Sequence, residues 1–149
     1  MNLNLGCGAD YRSDCVNVDI RANCGADVVW NLEKTPWPWD DESVDSIHAY
    51  DIIEHVEDFF KFTDEAWRVL RKDGKMMIRT NYVKYSQAFT DPTHRRFCTM
   101  ETLDFVDPST NFGKNYYWYT DKKFKILNKK EVGCELLFLI QKIHYNYDE

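Results

Sequence analysis

Apolar positions fall in short bursts along the first fifty residues. Leu3 and Leu5 flank Asn4, Val16 and Val18 flank Asn17, Val28 and Val29 are adjacent, and Val44, Ile47 and Ala49 recur a little later. Brief alternation of β-favouring side chains with polar ones predicts strands at Leu3–Leu5, Val16–Asp19, Asp27–Trp30 and Val44–Tyr50. After the loop NLEKTPWPWDDES and that fourth strand the period changes. Val56, Phe59, Phe60, Thr63, Trp67 and Leu70 recur at helical spacing and predict a helix from Glu54 to Lys72. Arg68, Arg71 and Lys72 suit the negative end of its dipole, and Gly74 suits its stop. Lys75–Thr80 reads as the next strand. Asn81 to Asp121 is a long aromatic and polar stretch, with a short helix expected after Thr99 and ending before Pro108. Phe124–Asn128 and Glu135–Ile143, separated by Lys-Lys-Glu-Val-Gly, predict an antiparallel hairpin.

Strands alternating with crossovers imply an α/β fold with a mainly parallel sheet. The 149 residues make one ordinary domain: a ligand-binding half over 1–80, a substrate or cap segment over 81–122 and a terminal hairpin over 123–149. Two crossovers are unusually short. Only GCGADYRSDC joins the first two strands and only IRANCGA the next two, too little for an ordinary helix in either. The sequence also opens on its first strand, so no helix is expected before it. A parallel sheet is normally buried on both faces, and apolar area left in water costs about 25 cal/mol per Å². Either the aromatic segment from Tyr82 to Tyr119 folds back as a cover, or a second copy of the chain supplies one. A homodimer is the preferred expectation, because the aromatic segment is also needed beside the ligand.

A net charge of −6 argues against nucleic acid or an anionic membrane as a partner, since both require a basic surface. No apolar run is long enough to span a bilayer and no signal peptide opens the sequence, so a cytoplasmic location is expected. The odd set Cys7, Cys15, Cys24, Cys98 and Cys134 contains no CxxC pair and fits reduced thiols. Zinc at Cys7, Cys15 and Cys24 would match no usual ligand spacing, and no metal is expected.

Gly6-Cys7-Gly8 lies just past the first strand, where ligands of parallel sheets bind. Glycine permits a sharp turn and brings backbone N–H groups close to a ligand. Asp19 ends the second strand, where a carboxylate can accept both hydroxyls of a ribose. A GxG alone carries little weight; paired with Asp19 it points to a nucleoside-containing ligand. A nicotinamide dinucleotide fits less well, because Tyr11 stands where a third glycine is wanted.

LNLGCG, VNVDI, WNLEKTPWPWDDESVDSIHAYDIIEHV and RVLRKDGKMMI together resemble the class I S-adenosylmethionine-dependent methyltransferases, most of all a compact subgroup. The resemblance runs unbroken over residues 2–80 and implies a reduced Rossmann-like fold. It implies a cofactor site of Leu5, Gly6, Cys7, Gly8, Asp19, Ile20, Asn31, Leu32 and Asp51. In that reading Gly6 and Gly8 pass the methionine part, Asp19 holds the ribose, Asn31 and Leu32 flank the adenine, and the turn at Ala49 to Asp51 meets the amino group. The chain departs from the pattern at Asn4, Asp10, Asn31 and Asp73; Asn4 and Asn31 lack the charge-assisted bonds of a carboxylate. A degenerate, non-catalytic binding protein is therefore the alternative. No Asn/Asp-Pro-Pro-aromatic motif indicates DNA methylation.

Methyl transfer needs alignment above all, with a base where the nucleophile is a hydroxyl. His94, in DPTHRRF, is the first choice and His55 the second. Arg95 and Arg96 beside His94 suggest an anionic group on the acceptor. The expected acceptor is a small or carbohydrate-like molecule attacked through O or N. The run NYYWYTD could stack on rings or sugars but reads first as core or interface, and His48 and His144 carry no assigned role.

Overall fold

The computed structural model describes residues 1–148; Glu149, the last residue of the expected domain, lies outside the described residues. Seven strands form one sheet: β1 (Asn2–Leu5), β2 (Val16–Asp19), β3 (Val28–Val29), β4 (Val44–Tyr50), β5 (Leu70–Asn81), β6 (Lys123–Val132) and β7 (Glu135–Ile143). They lie in the order β3-β2-β1-β4-β5-β7-β6, parallel except that β7 runs antiparallel to both neighbours. The order places the β1 and β4 carboxyl ends side by side at the topological switch, so the glycine loop and the turn after Tyr50 face each other there.

Register explains the core. Val18, Leu5, Ala49, Ile78 and Phe138 are successive cross-strand partners, as are Leu3, Ile47, Met76 and Ile140. All are buried on one face, under α1 (Phe59–Val69) through Phe62, Ala66 and Val69. That helix is shorter than its periodicity predicts. Asp58 caps it, accepting from the Lys61 N–H at 3.0 Å, while residues 52–57 are held as turns. At the other end Leu70 is already extended and pairs with Val44, so Arg71, Lys72 and Gly74 belong to β5, not to a helix terminus. Asp73 takes the positive φ there, and a Cβ on Gly74 would sit 2.9 Å from the Arg71 carbonyl. The short helix after Thr99 is a 3-10 turn at Thr102–Val106, and the first hairpin strand, β6, runs further than expected, to Val132, while β7 has the expected bounds.

The aromatic segment joins α1 rather than covering the bare side. Leu103 and Val106 enter the same core, and the Tyr119 ring lies 5.4 Å from that of Phe60. On the opposite face, the crossover loop 6–15 replaces a helix over β1 and β2. Buried Asn17 is its hub, accepting from Asn4 Nδ2 and the Arg12 N–H at 2.9 Å and donating to Arg12 O and Asp27. Asn4, expected as a weakened ligand residue, instead donates to this network. Further along that face His48, Tyr50, Met77, Leu137 and Leu139 remain half-buried, with Arg12 and Arg79 stacked on the Tyr50 ring. Among the described residues no helix is long and apolar enough to cross a membrane, and all five cysteines are free.

Candidate active site

Two adjoining cavities open at the carboxyl edge of the sheet. The first, about 210 Å³, is lined by Gly6, Asp19, Ile20, Trp30, Asn31, Leu32, Glu33, Ile52, His55 and Val56. Gly6 is needed on two counts: its φ is +62°, and a Cβ would fall 1.9 Å from Ile52 Cδ1. Asp19 is buried, and burial pushes its carboxyl up. The N–H groups of Arg21 and Gly8, each 2.9 Å away, together with the Arg21 guanidinium, outweigh burial and hold its pKa below the ordinary range. Asn31 turns its Oδ1 onto the Glu33 N–H at 3.0 Å, which fixes the loop carrying Leu32.

The remaining expected cofactor residues are placed differently. The Leu5 side chain lies wholly in the core, so only its backbone faces the loop. Cys7 is buried, and burial first, then the neighbouring Cys24 and Asp19, push its thiol up to about 11. Cys7 and Cys24 do approach one another beside Asp19; Cys15 is elsewhere, its Sγ 3.6 Å from Asp14. Asp51 lies across the divide, with φ +57°, paired with Arg79, and it lines the second cavity rather than the first.

That second cavity, about 430 Å³, is lined by Asp51, Glu54, His55, Asn81, Gln87, Thr90, Asp91, His94 and Glu135. Both candidate histidines are present, their ring centroids 4.7 Å apart, and His55 lines both cavities. His94 Nδ1 lies 2.8 Å from the Ala88 carbonyl, an oxygen that can only accept, so Nδ1 donates to it and the neutral ring presents its lone pair at Nε2.

The arginines are not in this cavity. Arg96 donates to the carbonyls of Ile53, Val56 and Glu57, so its guanidinium builds the turn that presents His55. Arg95 is exposed; its backbone N–H binds the Glu54 carbonyl at 2.7 Å. The lining offers the carboxylates of Asp51, Glu54, Asp91 and Glu135 instead. Sequence reasoning also passed over Glu54. It is buried, its Oε2 accepts from Thr80 Oγ1 at 2.7 Å, and its Oε1 has no partner. The usable signal was a carboxylate beside a histidine just beyond a strand end.

A third cavity of about 500 Å³ lies among Phe59, Phe60, Phe97, Phe105, Phe112 and Tyr119. It collects much of the aromatic segment, with Arg96 and Glu101 also in its lining, apart from the other two cavities.

A mainly parallel sheet of this strand order, with a glycine turn and a buried carboxylate at its switch point, defines a Rossmann-like fold. The chain belongs to the methyltransferase domain family, whose model matches residues 3–78. It is 29% identical over 109 residues to a probable S-adenosylmethionine-dependent methyltransferase of Mycolicibacterium smegmatis, covering 60% of this chain and 42% of that protein. The chain spans about two-fifths of the length of the curated relatives it matches, and S-adenosylmethionine is the cofactor those relatives are named for. A SAM-dependent methyltransferase of Archaeoglobus fulgidus superposes with a TM-score of 0.66 at 16% identity, covering 95% of this chain and 85% of that one. The (4+2)-cyclase SpnF also scores 0.66, at 12% identity over 97% of this chain and 74% of its own. At such identities the likeness shows the fold alone, and SpnF carries a name for different chemistry on it.

Proposed function

We propose that this chain is an S-adenosylmethionine-dependent methyltransferase domain acting on an oxygen or nitrogen of a small, uncharged or cationic acceptor. The observation that carries the reading is that His55 lines both cavities, which makes them neighbours across one side chain. The first cavity fits the cofactor: a glycine turn that tolerates no Cβ, apolar Ile20, Leu32, Ile52 and Val56 for the adenine, and Asp19 for the ribose. The bound cofactor supplies an electrophilic methyl group. The chain's part is to hold the acceptor in line beside it, to exclude water, and to take a proton at His94 Nε2. The carboxylates of Asp51, Glu54, Asp91 and Glu135 favour hydroxyl or amine donors over a carboxylate or phosphate.

Calorimetric titration with S-adenosylmethionine tests the site. Asp19→Ala is expected to keep the fold and weaken binding by about 1.5–3 kcal/mol, the range for hydrogen bonds to a charged group. Unchanged affinity removes Asp19 from the site. A second reading, a binding protein without catalysis, is favoured by one observation: both Asp19 oxygens already hold protein donors, and an Arg21 nitrogen lies 3.4 Å from where a Gly8 Cβ would be. No heat of binding in the unaltered protein would select it.

The half-buried face of β4, β5 and β7 supports a homodimer as part of the same proposal, because the aromatic segment lies on the other side. Sedimentation at micromolar concentration is expected to show a dimer, and a clean monomer would rule it out.

A further inference from the structure

We infer that Glu54, His55 and His94 form a binding site for one divalent first-row transition metal ion in the lining of the acceptor cavity. One carboxylate oxygen of Glu54 and one ring nitrogen of each histidine lie within 4.8 Å of one another. Two imidazoles and a carboxylate are a donor set that suits zinc and ferrous iron and leaves positions open for an exogenous ligand.

The independent observation is the orphaned oxygen. Glu54 is 2% exposed, and its Oε1 is buried with no hydrogen-bond partner. An unpaired carboxylate oxygen taken from water is costly, and a cation beside it removes that cost. The histidines are already oriented as ligands. His94 donates from Nδ1 to the Ala88 carbonyl, leaving the Nε2 lone pair free. Thr93 gives its single hydroxyl proton to Asp91 Oδ1 at 2.7 Å, so its oxygen accepts from His55 Nδ1 at 3.1 Å. That leaves Nε2 of His55 free as well. Hydrogen bonds of this kind to the far nitrogen fix tautomer and ring direction at metal sites. Asp91 Oδ2, 3.7 Å from His94 Nε2, adds negative charge close by.

With bonds of about 2.1 Å, tetrahedral ligands stand roughly 3.4 Å apart, so the cluster closes by side-chain movements of about an ångström. The ion would lie beside the cofactor cavity, since His55 faces both. Its role, unlike its binding, rests on the methyltransferase reading: with the ion bound, His94 Nε2 is a ligand and not the base, and a hydroxyl bound to the ion becomes more acidic, its proton passing to water while the oxygen keeps the electron pair. The acceptor class is then an alcohol or phenol rather than an amine.

The test uses protein dialysed against a chelator, without S-adenosylmethionine. Cobalt(II) is titrated with visible d–d absorption as the readout, and zinc by calorimetry. One equivalent is expected to bind. Glu54→Gln and His94→Ala should each weaken binding by about tenfold or more, and Thr93→Val by a smaller factor through the freed His55 ring. Circular dichroism melting confirms that each variant is folded. Stoichiometric binding unaffected by these variants overturns the proposal, as does binding lost only in Cys24→Ser with a thiolate charge-transfer band. Absence of binding also overturns it. Cofactor titration of the same protein is scored separately: cobalt binding without S-adenosylmethionine binding defeats the methyltransferase reading and leaves the metal site standing.

Discussion

Gly6→Ala probes the turn on which the cavity proposed for the cofactor depends. Gly6 has φ +62°, where an L side chain costs about 1–2 kcal/mol. The new Cβ would stand 1.9 Å from Ile52 Cδ1 and 2.6 Å from its Cγ1, so that side chain must leave its present rotamer. Ile52 is half-buried and can swing, which limits that part to about 0.5–1.5 kcal/mol. Adding the two contributions, about 1–2 and about 0.5–1.5, gives a destabilisation of about 1.5–3.5 kcal/mol. Urea denaturation at unchanged m-value is the assay. Ile52→Ala separates the contributions, because it removes both clashing atoms and leaves the φ cost. In that background Gly6→Ala should cost about 0.5–1.5 kcal/mol less than in the unaltered protein, a direct double-mutant coupling. Ile52 also lines the cavity proposed for the cofactor, so its displacement should weaken S-adenosylmethionine about tenfold, or about 1.4 kcal/mol. Equal costs in the two backgrounds would refute the clash, and a total below about 0.5 kcal/mol would refute the backbone argument as well.

Arg96→Ala removes the donors to the Ile53, Val56 and Glu57 carbonyls and should destabilise by about 2–4 kcal/mol by urea titration; Arg96→Lys should recover little, because one ammonium cannot span a fork. Acid titration of stability tests Asp107. Burial pushes its carboxyl up, but the Ile126 and Ser109 N–H groups, the Ser109 hydroxyl and Lys125 outweigh burial and hold its pKa below the ordinary range. Its folded pKa is thus below the unfolded value of about 3.9, so its contribution is full above that pH and is lost as pH falls through the folded pKa. Asp107→Asn should flatten this acid limb, and an unchanged acid limb would remove Asp107 from it.

What the sequence made legible follows from how local each signal is. Alternation at Val44–Tyr50 and Glu135–Ile143 is set within each segment, so those strands stand where their pattern puts them. The helix from Glu54 failed at its first turn because contacts from far along the chain decide it: Arg95 and Arg96 bind the carbonyls a helix would need for itself. The same long-range contacts explain the misplaced arginine roles, since DPTHRRF gives no sign that Arg96 folds back some forty residues. His55 and His94 meet for that reason too, and Glu54 comes with them.

The missing helices show the converse. Asn4 reads as a weakened cofactor motif when it is set against the family pattern alone, without its neighbour Asn17. Together they are cross-strand partners on the face that lacks helices. Asn17 satisfies the short crossover through Arg12 O, Cys15 O and Asp27, turning a polar strand face into the anchor of its own cover. A helix would bury leucines there; a loop of ten residues cannot, so amide side chains take over its hydrogen bonds. The amide at position 4 and the short crossover therefore belong together: a carboxylate at position 4 could not donate to both Asn17 Oδ1 and the Asp10 carbonyl.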